Sequence, residues 1–275
     1  MASVTQRIAE IKQPRGGYLK PSEFEKTIFN DGYRLGPENN SPSTVGMAVD
    51  YLTRFVLEKE KNPQLPIRFS VNKAFEISNI GYTVRQAIVS SKEIELDRKK
   101  GVEISQLLGI ITGLDDKSII AACKATGYDV WYRSLFGALS CKGPEFIKPD
   151  KPTIENIRIM VERGLSFFKK YGPLTSEGFT FEDKGYSKVV DAGDGDYLTA
   201  DTLWDFKVIK GEITNKHTLQ LLMYWIMGKH SGKDIFKNIT KIGIYNPRQN
   251  AVYIYDLAKF PKHLIKEIEQ DVICY

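Results

Sequence analysis

The chain has little cysteine, little histidine and no long apolar run. Cys123, Cys141 and Cys274 are odd in number and scattered along 275 residues. That pattern argues against a disulfide framework and for a reducing, cytoplasmic setting. The three His are far apart in sequence, and no Cys/His spacing resembles a zinc site. No stretch of about eighteen apolar residues occurs, so no membrane span is expected. The N-terminus, MASVTQRIAEIKQPRGG, lacks the apolar core of a secretory signal. Internal repeats and low-complexity segments are also missing.

What is there is ordinary for a globular protein: 42% hydrophobic and 27% charged residues. The length suffices to bury a large core, as one elaborate domain or a core with an insertion. The net charge of +5 is uneven: residues 176–275 hold 13 Lys+Arg against 14 Asp+Glu, net −1, leaving +6 for the remainder. A positive excess of this size fits contact with a phosphate backbone, and equally an ordinary basic protein.

Residues 1–42 carry Gly16-Gly17, Pro21, Pro37 and Pro42 among polar residues and read as an irregular arm with a short helix near Ser22 to Phe29. In STVGMAVDYLTRFVLE, residues 43–58, Val45, Val49, Leu52, Phe55 and Val56 recur at helical spacing. Pro63 and Pro66 then interrupt the chain. Residues 71–172 read as mostly helical, with helices near 82–99, 102–112, 115–126 and 153–171. The last has Thr153 as its expected N-cap and Gly172 as its stop. GYDVWYRS, residues 127–134, reads either as helix-packing core or as a surface whose Tyr128, Trp131, Tyr132 and Arg133 stack on bases and grip phosphate. From 178 the pattern changes to strands: GFTFED, SKVVDAGDGD and TLWDFKV. A helix over 215–228, two alternating strands around Asn246-Pro247-Arg248, and a terminal helix over 261–271 follow.

GDGDYLTADTLWDFKVIK, residues 193–210, crowds Asp194, Asp196, Asp201, Asp205 and Lys207 into a strand pattern. A hairpin with a loop of about four residues is expected, since no Asn-Gly is present to make the tightest turn. A turn centred between Ala200 and Asp201 sets Asp196 opposite Asp205, with Lys207 on the same face. Facing like charges destabilise a sheet unless something relieves them. Two carboxylates beside an amine suit Mg²⁺ or Mn²⁺. Asp194 and Asp201 read as solvated. Downstream, Gln220 and Tyr224 share one face of a helix that is apolar nearly all round.

These elements in this order resemble the PD-(D/E)XK nuclease superfamily, in its RecB-like branch. The residues that carry the resemblance are Gly193-Asp194-Gly195-Asp196, Asp205-Phe206-Lys207 and Gln220-Leu221-Leu222-Met223-Tyr224. It spans about thirty residues. It implies an α/β (α+β) fold with a restriction-endonuclease-like αβββαβ core, and helix 43–58 as its first helix. It implies Asp196 and Asp205 as metal ligands with the Phe206 carbonyl, Lys207 as the cation that positions the attacking water or neutralises the charge developing in the transition state, and Gln220 and Tyr224 as orienting groups. Gly46-Met47-Ala48-Val49-Asp50 matches a G-x-x-x-H element of the branch, with Asp50 where the family's metal-ligating His stands. Glu162 and Glu182 are further candidates for that acid. Three cysteines cannot supply the four-cysteine iron–sulfur cluster of some members. The expected organisation is therefore 1–64 as arm and first core helix, 65–172 as a helical insertion, and 173–275 as the core sheet. The implied activity is Mg²⁺- or Mn²⁺-dependent phosphodiester hydrolysis in DNA, RNA not being excluded. The alternative is a non-catalytic nucleic-acid-binding or protein-interaction module on the same fold.

Overall fold

The computed structural model describes residues 2–182 and 184–275. The protein is of mixed α/β class and divides into two compact units, residues 1–30 with 167–275, and residues 31–166. The division falls at other places than the expected 65 and 172.

The first unit is built on a six-stranded sheet ordered β2-β8-β7-β6-β5-β3. Its strands are β2 (Glu25–Ile28), β3 (Ser176–Phe179), β5 (Gly195–Leu198), β6 (Thr202–Phe206), β7 (Lys241–Asn246) and β8 (Ala251–Asp256). A separate parallel pair joins β1 (Ala2–Ser3) to β4 (Val190–Ala192). Strands β3, β5 and β6 form an antiparallel meander. Strand β7 then pairs parallel with β6. A parallel neighbour needs a crossover, and α11 (Asn215–Ser231) supplies it. The expected strand SKVVDAGDGD is interrupted at Gly193-Asp194, giving β4 and β5 in different sheets. The expected strand GFTFED ends at Phe179, and its last residue, Asp183, lies outside the described residues. The short helix expected over 22–29 is instead a single 3₁₀ turn, Pro21–Glu23, followed by edge strand β2.

Both faces of this sheet are covered. On one, Leu198, Leu203, Ile242 and Ile244 belong to one core cluster with Leu219, Leu222, Met223 and Ile226 of α11. Helix α1 (Val4–Glu10) packs on α11 as well. On the other face, Phe167, Phe168 and Tyr171 meet Trp204, Tyr197, Phe206 and Tyr245 ring to ring. These three aromatics are the last turns of α10 (Lys151–Tyr171). A terminal helix α12 (Lys262–Glu267) continues into a π-helical turn, Ile268–Ile273, whose Ile268, Val272 and Ile273 are buried.

The second unit is helical: α2 (Pro42–Lys61), α3 (Ile67–Ala74), α4 (Glu76–Ile88), α5 (Ser91–Lys99), α6 (Ile104–Ile110), α7 (Asp116–Ala125), α8 (Asp129–Arg133), α9 (Leu135–Ser140) and the start of α10. The continuous helix expected over 82–99 is broken at Val89-Ser90, where Ser90 caps α5 through a reciprocal bond with Glu93. The cap of α10 is Asp150 and not Thr153: the Asp150 carboxylate accepts the Thr153 N–H at 3.0 Å. Within 127–134, Tyr128 is fully buried and bonds the Val102 carbonyl, as a packing core requires, whereas Tyr132 is exposed.

Candidate functional site

The hairpin adopts the expected register. Tyr197 pairs with Trp204 and Leu198 with Leu203. Four residues, Thr199–Thr202, close the turn between Leu198 and Leu203, with the Thr199 N–H bonded to the Thr202 carbonyl. The same register carried outward brings Asp196 to the end of β6, where its Oδ2 accepts the Phe206 N–H at 2.8 Å. Asp205 is 2% exposed on the face that looks toward α11.

Two glycines make this approach possible. A Cβ on Gly195 would fall 2.1 Å from the Phe179 ring, and one on Gly193 2.8 Å from Val4 Cγ2 of α1. The chain therefore threads between an aromatic ring and a helix to deliver Asp196.

The Lys207 ammonium sits 2.9 Å from Asp205 Oδ1, with 22% of its side chain exposed. Burial alone would lower its pKa, but the carboxylates of Asp205, Asp196 and Asp194 outweigh that and raise it. Lys207 is therefore a fixed cation at neutral pH. The second oxygen, Asp205 Oδ2, is buried without a hydrogen-bond partner. Buried carboxylate oxygens are normally satisfied, and this one is left with an open acceptor position.

From α11, Gln220 Nε2 donates to the Tyr224 hydroxyl at 2.9 Å. Tyr224 is 4% exposed. Its burial first, and the charge of Asp205 next, push the phenol well above its ordinary value. It stays protonated and keeps its own O–H to donate. His217 was not singled out by the sequence reading. Its Nδ1 accepts the Thr214 N–H at 3.1 Å in a capping box that starts α11. That bond sets the tautomer, leaving Nε2 with the proton. Burial, then the Lys207 charge, lower its pKa, with Asp205 opposing. The signal was present: His217, Gln220 and Tyr224 are spaced by three and four and so line one face.

The structure thus brings together Asp196, Asp205, Phe206, Lys207, Gln220 and Tyr224, with His217 added. Asp50 is not among them. It lies on α2 in the helical unit, where its carboxylate accepts from Arg54 Nε at 3.0 and 3.1 Å. Within that unit α2 buries Val45, Val49, Leu52 and Phe55 and packs against α3 and α7. Glu162 is an exposed residue of the helical unit. Glu182 pairs with Lys233, beyond the opposite end of α11 from His217. Asp201 is not merely solvated, since it holds Lys241 at 2.8 Å across the hairpin tip.

Among the described residues no group of three or more His, Cys, Asp or Glu is arranged to hold a metal ion. The donor set is two carboxylates, one with an unpartnered oxygen. That is the sparse protein share typical of Mg²⁺, which keeps water and substrate oxygens in its shell. No helix among the described residues is long and apolar enough to cross a membrane.

Compared with known proteins, the chain matches no family model, no curated protein and no solved structure.

Proposed function

We propose that the protein is a Mg²⁺- or Mn²⁺-dependent nuclease that hydrolyses phosphodiester bonds in DNA, on a restriction-endonuclease-like core of the RecB-like type. The observation that carries this reading is the unpartnered, buried Asp205 Oδ2 beside the Lys207 ammonium, with Asp196 bonded to the next residue's N–H, that of Phe206. A purely structural hairpin gains nothing from such an oxygen, which costs about 1–3 kcal/mol when left unsatisfied.

In this reading Asp196 and Asp205 hold the cation, with the Phe206 carbonyl as a further oxygen donor. When bound, the cation supplies Lewis acidity toward a phosphoryl oxygen. Lys207 places a fixed positive charge where negative charge develops on the phosphate. Its raised pKa makes it a poor proton acceptor at neutral pH, so it acts by charge and not as general base. Tyr224, protonated and held by Gln220, presents an O–H to the same space. His217 presents Nε2–H from the same helix face.

Digestion of linear duplex, supercoiled circular and single-stranded DNA with Mg²⁺, against a chelator control, tests this. Mg²⁺-dependent cleavage of any of the three supports it, and inertness toward all three in both Mg²⁺ and Mn²⁺ overturns it.

A further inference from the structure

The first unit carries a set of cations that the proposed chemistry does not use. The chain turns at Gly16 and Gly17, whose φ values of +91° and +88° only glycine adopts freely. The turn folds residues 12–20 onto the first turn of α11. Gln13 Nε2 donates to the Asn215 carbonyl at 3.3 Å, and Thr218 Oγ1 donates to the Leu19 carbonyl at 2.6 Å. A Cβ on Gly17 would fall 2.6 Å from Asn215 Cβ, so the two segments are in close contact. This is the end of α11 that bears His217, whose imidazole feels the charges of Lys207 and Asp205.

The arm exposes Lys12, Arg15 and Lys20; Lys210, in the loop entering α11, and Lys216, in its first turn, are also exposed. Among the described residues none of these five has an ion-pair partner. Of the acids nearby, Glu10 pairs with Arg7, Glu212 holds Lys26 and Tyr253, Glu23 accepts the Lys20 backbone N–H, and Glu267 and Asp271 face Tyr18 of the arm. Lys12, Arg15 and Lys20 belong to the positive remainder of the chain, and Lys210 and Lys216 add to them from within the otherwise net −1 residues 176–275.

We infer that Lys12, Arg15, Lys20, Lys210 and Lys216 form a binding surface for the DNA sugar–phosphate backbone, leading the strand to the acid pair. This rests on the nuclease reading. The acid pair repels a polyanion, so a catalytic centre of this kind needs a cationic approach to draw substrate in. Long side chains on an ordered arm suit backbone contact without reading base sequence.

The test is fluorescence anisotropy with a labelled DNA duplex, in chelator so that nothing is cut, across about 50 to 200 mM NaCl. The substitutions are Lys12→Ala, Arg15→Ala and Lys216→Ala together. A control set, Lys259→Ala, Lys262→Ala and Lys266→Ala, removes the same charge from the C-terminal segment. Each lost phosphate contact reduces the slope of log K against log salt by about 0.9, so the arm set lowers it by about 2.7. The control set leaves it close to that of the parent. An unchanged slope in the arm set, or equal reductions in both sets, overturns the inference. In that case parent cleavage in Mg²⁺ can still stand, which separates the two claims. Failure of the parent to bind DNA at all defeats both.

Discussion

At Lys207 two effects oppose each other. Burial favours the neutral amine, and the carboxylates of Asp205, Asp196 and Asp194 favour the ammonium, which wins. The stability gained from a raised Lys pKa is fully present below the ordinary value of 10.5 and is lost as pH rises through the folded-state value. Across neutral pH the contribution of the Lys207 ammonium is therefore constant. Asp205→Asn removes the partner of that ammonium. A buried pair broken on one side costs about 3–5 kcal/mol; with Lys207 22% exposed, a loss of about 2 kcal/mol in urea unfolding is expected. The same substitution is expected to abolish any Mn²⁺ binding that calorimetry detects in the parent. Asp196→Asn behaves differently. An amide oxygen can still accept the Phe206 N–H, and the facing like charge is gone. The metal-free Asp196→Asn variant is expected to melt no lower than the parent, while its cleavage is lost.

At the scale of elements, the site depends on how β4, β5 and α11 are held. Gly195→Ala drives a methyl into the Phe179 ring. An overpacking cost of about 1–3 kcal/mol is expected, with a fall in Mn²⁺ affinity because Asp196 is displaced. Helix α11 carries a pH dependence through His217. Its folded pKa lies below the ordinary 6.5, so the unfolded chain takes up a proton first. Its contribution is complete above about 6.5, declines as pH falls below that, and levels off once the folded imidazole is protonated. The urea midpoint of the parent should drop more between pH 8 and pH 5 than that of His217→Gln. Equal drops would mean that His217 does not titrate differently on folding. The hairpin and α11 were legible in the sequence because their signals are local: alternation, a polar turn, a capping residue and an apolar run. The register that sets Asp196 near Asp205 followed from the turn alone. What helix 43–58 packs against was not legible. An apolar face at 43–58 shows that something covers it, without showing whether that is a sheet or the helices α3 and α7. His217 escaped because a lone His carries no spacing signal until Gln220 and Tyr224 define the face.

For the whole molecule, the helical unit is an excursion of the chain between Asn30 and Phe167. Its two ends are held together within the first unit, where Lys170 Nζ lies 4.2 Å from the Phe29 ring centroid. Residues 31–166 expressed alone are expected to unfold cooperatively, since α2 through α9 bury their own core. A divalent cation at about a hundred times its Kd adds about 2.7 kcal/mol to the unit that binds it. In the full chain Mg²⁺ should therefore raise the unfolding of the sheet-bearing unit, and the isolated 31–166 fragment should show no response to Mg²⁺. The account as a whole rests on Lys207 acting by charge on a phosphate held beside Asp196 and Asp205. Its most direct test is the single-turnover rate of DNA cleavage in Mg²⁺ by Lys207→Ala, measured beside the parent at matched Mn²⁺ affinity. The account predicts a loss of about 10²–10³-fold or more, the size associated with removing one preorganised charge or donor from a transition state. Cleavage at the parent's rate would contradict it.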